Sequence, residues 1–133
     1  MEKASSPRDH AIGKLSELIK DIKIAMLTTT DERDGSLVSR PMGTQQVEFD
    51  GQLWFFTQDD SRKVEQVQQD RQVNVSYADN GANRYVSVSG TARIVKDRAK
   101  MQELWNPIFK VWFPDGLETS DIALLCVDVV KAE

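Results

Sequence analysis

The stretch from Arg84 to Val95 constrains this chain more than any other. Val86, Val88, Ala92 and Ile94 recur at even spacing and share one face of a long strand, and Gly90 interrupts them. A glycine in mid-strand marks a bend or bulge where a sheet closes on itself. Most of the remaining alternating segments follow one another through short turns, without the crossover helices that parallel strands require. The pattern therefore predicts an antiparallel sheet or barrel rather than a parallel α/β sheet.

The other elements fit that frame. Ser6-Pro7-Arg8-Asp9 reads as a helix start with Ser6 as cap, and Ile12, Leu15, Leu18 and Ile19 then fall on one face. After Asp21 the period shortens to two. Ile22, Ile24 and Met26 are expected to face one way, with Thr28 to Thr30 closing the strand. Asp31 to Gly35 reads as a turn, Leu37–Met42 as a second strand, and Gly43–Phe49 as its continuation or a third. Asp50-Gly51 predicts a hairpin leading into Gln52–Thr57. A short helix from Ser61 to Asp70 has Val64 and Val67 inside, and Arg71–Ala78 is a strand with Val73, Val75 and Tyr77 inward. Asp97 caps a helix carrying Met101, Leu104 and Trp105, and Asp121–Val130 is a final, almost wholly apolar strand. Its run from Ala123 to Val127 is either covered on both sides or central in one barrel.

Composition excludes several functions. At 133 residues, one domain spanning 1–133 is expected, with room for a real core. A net charge of −4 argues against coating nucleic acid or an anionic membrane, since both depend on surplus Lys and Arg. Cys126 and His10 are each the single residue of their type, so no metal site, disulfide framework or Ser-His chemistry is expected. The start of the chain has no apolar signal region, and no apolar run reaches membrane-spanning length; a cytoplasmic protein is the expectation.

Chemistry concentrates in two short basic segments. In Leu53-Trp54-Phe55-Phe56-Thr57-Gln58-Asp59-Asp60-Ser61-Arg62-Lys63-Val64 an aromatic strand runs through a polar turn into a helix start. Cations in a first helical turn oppose about half a unit of positive charge from the helix dipole. Arg62 and Lys63 beside exposed N–H groups thus suit an anion such as a phosphate. Equally, Asp59 and Asp60 can compensate a solvated helix start. In Ser39-Arg40-Pro41-Met42, Pro41 cannot donate to a ladder and so predicts an edge strand or a strand end. Arg40 offers a fork of donors to phosphate oxygens, or to a neighbouring carboxylate.

Taken in order, Val38-Ser39-Arg40-Pro41-Met42, Trp54-Phe55-Phe56-Thr57 and Ser61-Arg62-Lys63-Val64 resemble the FMN-binding split barrel of pyridoxamine 5′-phosphate oxidase-like proteins, most closely the general stress protein 26 branch. The resemblance extends from about Leu15 to the C-terminus. It implies a mainly β fold with peripheral helices: an antiparallel, six- to seven-stranded split β-barrel that is dimeric and binds FMN. Arg40 and Lys63 would hold the phosphate, with Ser61 and Arg62 adding donors. Ser39 belongs to the same segment, Pro41 and Met42 would follow the isoalloxazine edge, and Phe56 and Thr57 would form the ribityl wall. Tyr85 stands where relatives with oxidase activity carry Gln. Trp112, Phe113 and Trp105 are candidates for the part of the pocket supplied by the second subunit; Trp105 is also explained as core by its spacing from Met101 and Leu104.

The resemblance implies a homodimeric FMN-binding flavoprotein of the general stress type, with weak flavin-dependent oxidoreductase activity allowed and no catalytic side chain of its own. Pyridoxamine phosphate oxidation is the alternative, but members with that activity carry a C-terminal Arg- and His-containing segment, and this chain ends at Glu133 with neither. A split barrel holding a deazaflavin or haem is a second alternative. A third is a small barrel that stacks single-stranded nucleic acid or protein on Trp54, Tyr77 and Tyr85, which the charge balance opposes.

Overall fold

The computed structural model describes residues 7–45, 49–58 and 62–133, with the side chains of Pro7, Arg8, Asp9, Arg62 and Gln69 excepted. The expectations placed on Ser6, Asp59, Asp60 and Ser61 lie outside these residues. Helix α1 (Pro7–Ile19) leads into strands β1 (Ile24–Thr30), β2 (Leu37–Gly43) and β3 (Gln52–Gln58). Helix α2 (Arg62–Gln69) follows, then β4 (Gln72–Asp79), β5 (Arg84–Val95), helix α3 (Arg98–Leu104) and two short 3-10 turns, Pro107–Val111 and Gly116–Glu118. Strand β6 (Ile122–Ala132) closes the order.

The six strands form one antiparallel sheet in the order β2-β1-β4-β5-β6-β3. Its edges, β2 and β3, curl to within 8 Å of each other, Cα to Cα, yet no ladder joins them. This is a split β-barrel. The curl has a local cause in β5, where the register slips between Ser89 and Gly90. A Cβ on Gly90 would sit 2.4 Å from the Asp128 carbonyl oxygen and 2.8 Å from a Val127 methyl, so only glycine permits that approach.

Two apolar clusters share β6. Leu125 and Val127 point into the barrel with Leu27, Phe55, Val75 and Val88, whereas Ile122 and Leu124 point outward onto Phe56, Met101, Leu104 and Phe109. That is why six consecutive residues, Ile122 to Val127, are all buried. The cover on the second side comes from α3 and the aromatic 3-10 region of the same chain. Asp97 starts α3 by accepting a hydrogen bond from the Lys100 backbone N–H at 3.2 Å.

Three expectations change. In β1, Ala25, Leu27 and Thr29 face inward while Ile24 and Met26, 43% and 40% exposed, share the outer face, which Ile22 does not join. Ile22 is buried but precedes the strand. Asp50-Gly51 does turn the chain, with Gly51 at φ 112°, but β3 pairs with β6 and not with the preceding strand. Among the described residues between Gly43 and Phe49 no further strand forms, since β2 ends at Gly43.

Candidate functional site

The gap between the two unpaired sheet edges is the site. Pro41, which cannot donate, lies on edge strand β2, and β2 is paired only to β1. Alternation turns Arg40 toward the barrel side, where its fork meets two neutral acceptors: Nη1 donates to Thr29 Oγ1 and Nη2 to Gln66 Oε1, both at 2.8 Å. Thr29 Oγ1 in turn donates to Gln66 Oε1. Thr29 and Gln66 are each 1% exposed, so this bracket is part of the interior.

Lys63 approaches from α2. Val64 and Val67 anchor that helix, both buried, and hold Lys63 half-buried with its Nζ donating to Thr57 Oγ1 of β3 at 3.3 Å. Burial lowers the pKa of Lys63, and the nearby Arg40 charge lowers it further. Burial also lowers that of Arg40. Among the described residues neither cation is in an ion pair. Two partly desolvated positive charges with no carboxylate paired to them among the described residues are unfavourable by themselves. Their arrangement fits a multiply charged anion.

Next to them lies a cleft of about 190 Å³. Pro41, Met42 and Gly43 form one wall and Phe56, Gln58 and Lys63 the other, with Phe109, Trp112 and Phe113 across the end. Phe56 is clamped by Trp105, Phe109 and Phe113 at ring-centroid distances of 5.3, 5.5 and 6.4 Å. The Trp112 ring lies so close to Gly43 that a Cβ there would be 2.9 Å from it. Cations at one end and a flat aromatic slot at the other match a molecule with a phosphate and a planar ring. A larger hollow of about 430 Å³ beneath α1 and α3 offers no such imbalance, since its Lys20 pairs with Glu17 and its Lys100 with Glu103.

Residues 10–133 match the family described as Pyridoxamine 5′-phosphate oxidase like. The chain belongs to that family. Protein bli-3 of Neurospora crassa is 37% identical over 135 residues, covering 95% of this chain; the chain spans 65% of that relative's length. Among crystal structures, a general stress FMN/FAD binding protein from Xanthomonas citri superimposes with a TM-score of 0.77 at 29% identity, over 93% of this chain and 87% of its own. A protein from Clostridium acetobutylicum related to general stress protein 26 of B. subtilis gives a TM-score of 0.78 at 23% identity, over 92% and 86%, which shows the shared fold.

In this pyridoxamine 5′-phosphate oxidase-like chain the structure brings together Arg40, Pro41, Met42, Phe56, Thr57, Lys63 and Trp112. Arg40 and Thr57 adjoin the cleft through Lys63 without lining it, and two of the predicted residues lie away from both the cations and the cleft. Ser39 has opposite parity to Arg40 and lies on the outer face, its Oγ 2.6 Å from Thr28 Oγ1. Tyr85 is 59% exposed on β5, three strands from β2, with its hydroxyl donating to Asn80 Oδ1. Arg62 begins α2, but its side chain and all of Ser61 fall outside the described residues. Trp105 packs against Phe56 and Phe109 as its core reading expected, Phe113 also meets Phe56, and the Trp112 ring lies against Gly43. Sequence reasoning missed Gln66, Phe109 and Gly43. Gln66 had a signal, since it stands three residues after Lys63 and so shares its helix face.

Proposed function

We propose that this protein binds FMN, with the phosphate between Arg40 and Lys63 and the isoalloxazine in the cleft between Pro41–Met42 and Phe56, closed by Trp112. Two cations in no ion pair among the described residues, beside an aromatic slot, are the observation that carries this reading. The phosphate would accept hydrogen bonds from the Arg40 fork and from Lys63, and Thr57, Arg62 and Ser61 would complete the shell. The name of the Xanthomonas citri relative, a general stress FMN/FAD binding protein, supports a flavin.

A bound flavin supplies the redox chemistry, and this chain supplies placement, charge and exclusion of water. No catalytic side chain is assigned, and the protein is of the general stress type, with weak oxidoreductase activity following from the flavin alone. Among the described residues no group of three or more His, Cys, Asp or Glu could hold a metal ion.

The active form is a homodimer in the same reading. The outer face around β1 and β2 carries Ile24 and Met26, 43% and 40% exposed, Leu37 at 74%, and Pro41. Ile24, Met26 and Pro41 adjoin there, with the Thr28–Ser39 pair between them and Leu37, and exposed apolar surface of this kind marks an interaction surface. A second copy on it would cover the open side of the cleft and bring Ser39 and Tyr85 near a ligand. Among the described residues no helix is long and apolar enough to cross a membrane. The buried free thiol of Cys126 suits a reducing cytoplasm.

Titration of FMN against the purified protein tests the reading. Saturable quenching of flavin fluorescence is expected, and none at high micromolar FMN would overturn it.

A further inference from the structure

We infer that Gln66 is a positioning residue that orients the Arg40 guanidinium toward the phosphate while leaving its charge uncancelled. The inference rests on the FMN reading given above. Gln66 is 1% exposed on α2, between the buried Val64 and Val67. A buried amide is costly unless it is satisfied. Its Oε1 accepts from Arg40 Nη2 and from the Thr29 hydroxyl, and the same hydroxyl accepts from Arg40 Nη1. The two acceptors hold one N–H on each Nη of the fork. They engage two of the five N–H donors a guanidinium carries, leaving three for a ligand.

The choice of amide over acid is what points to function. A glutamate has nearly the same shape and would make a shorter, stronger, charge-assisted bond to Arg40. It would also neutralise one of two cations that make no ion pair among the described residues. Glutamine fixes the fork and keeps both positive charges available to a doubly charged ligand. Since Lys63 is three residues earlier on the same helix, α2 delivers one phosphate-reading cation and aims the other.

Gln66→Glu tests this, using dissociation constants for FMN and for riboflavin together with the apo melting temperature. The variant should melt no lower than the wild type and hold riboflavin within about twofold, while the preference for FMN over riboflavin falls about tenfold or more, the loss of one charge-assisted bond. A purely structural role would lower both affinities in parallel, or the melting temperature first, and either result overturns the inference. So does an unchanged preference. If Gln66→Glu does not fold, Gln66→Met, which keeps the volume and removes the acceptor, should also lower the FMN preference selectively; a preference equal to wild type would refute the role. A wild-type protein that binds FMN no better than riboflavin removes the phosphate reading itself, a failure visible before any variant is made.

Discussion

Gly90 passes directly under the backbone of Asp128, so close that a Cβ on it would lie 2.4 Å from the Asp128 carbonyl oxygen. The contact sits at the register slip in β5, where the sheet bends far enough for its two edges to face each other. The cleft exists because of that bend.

Gly90→Ala is therefore expected to destabilise the fold by about 3 kcal/mol, at the upper end for overpacking against unyielding backbone. Urea unfolding checks it: the midpoint should fall with little change in slope. A midpoint within error of wild type would show that β5 can flatten at no cost.

Gly90 was legible in the sequence because a glycine weakens a strand interior and packs nothing, so inside a strict alternation it signals a bend or a close backbone approach. The pairing of β3 was not. Asp50-Gly51 shows that the chain turns but not where it goes, and β3 finds its partner in β6, whose residues lie more than sixty positions later. The facing of β1 was ambiguous for another reason. Ile24 and Met26 are apolar on one parity and Ala25 and Leu27 on the other, so alternation cannot choose between them. Within the site, Arg40 and Lys63 stood out as charges in unusual places. Gln66 carried only its three-residue spacing from Lys63, because a glutamine on a short polar helix otherwise reads as surface until the fold buries it.

Trp112 and Lys63 should separate in their effects. Trp112 is 47% exposed, lines the cleft, and carries no charge for a phosphate to meet. Trp112→Ala should leave folding stability nearly unchanged and weaken FMN and riboflavin alike, by roughly 1–1.5 kcal/mol for a lost aromatic contact. Isothermal titration with both ligands checks this. Loss confined to FMN would place the phosphate, not the ring, beside Trp112.

Stability should also depend on pH through Lys63. Burial and the Arg40 charge hold its folded pKa below the ordinary 10.5. Between the folded value and 10.5 the unfolded chain binds more protons than the native one, so stability rises with pH across that window. Below the folded value the penalty is fully present. Urea midpoints of the apo protein should climb toward pH 10.5 relative to those of Lys63→Met, which lacks the group. Saturating FMN should flatten the climb, because an adjacent phosphate raises the Lys63 pKa again. Parallel curves for wild type and variant would mean that Lys63 is fully solvated.

The central claim is that Arg40 and Lys63 together read one phosphate, and the direct measurement is the ratio of riboflavin to FMN dissociation constants in wild type, Arg40→Ala and Lys63→Ala. A charge-assisted bond contributes about 1.5–3 kcal/mol, so each substitution should reduce the wild-type ratio by roughly ten- to a hundredfold while riboflavin binding stays nearly constant. Equal losses for both ligands, or a wild-type ratio near one, would contradict the account.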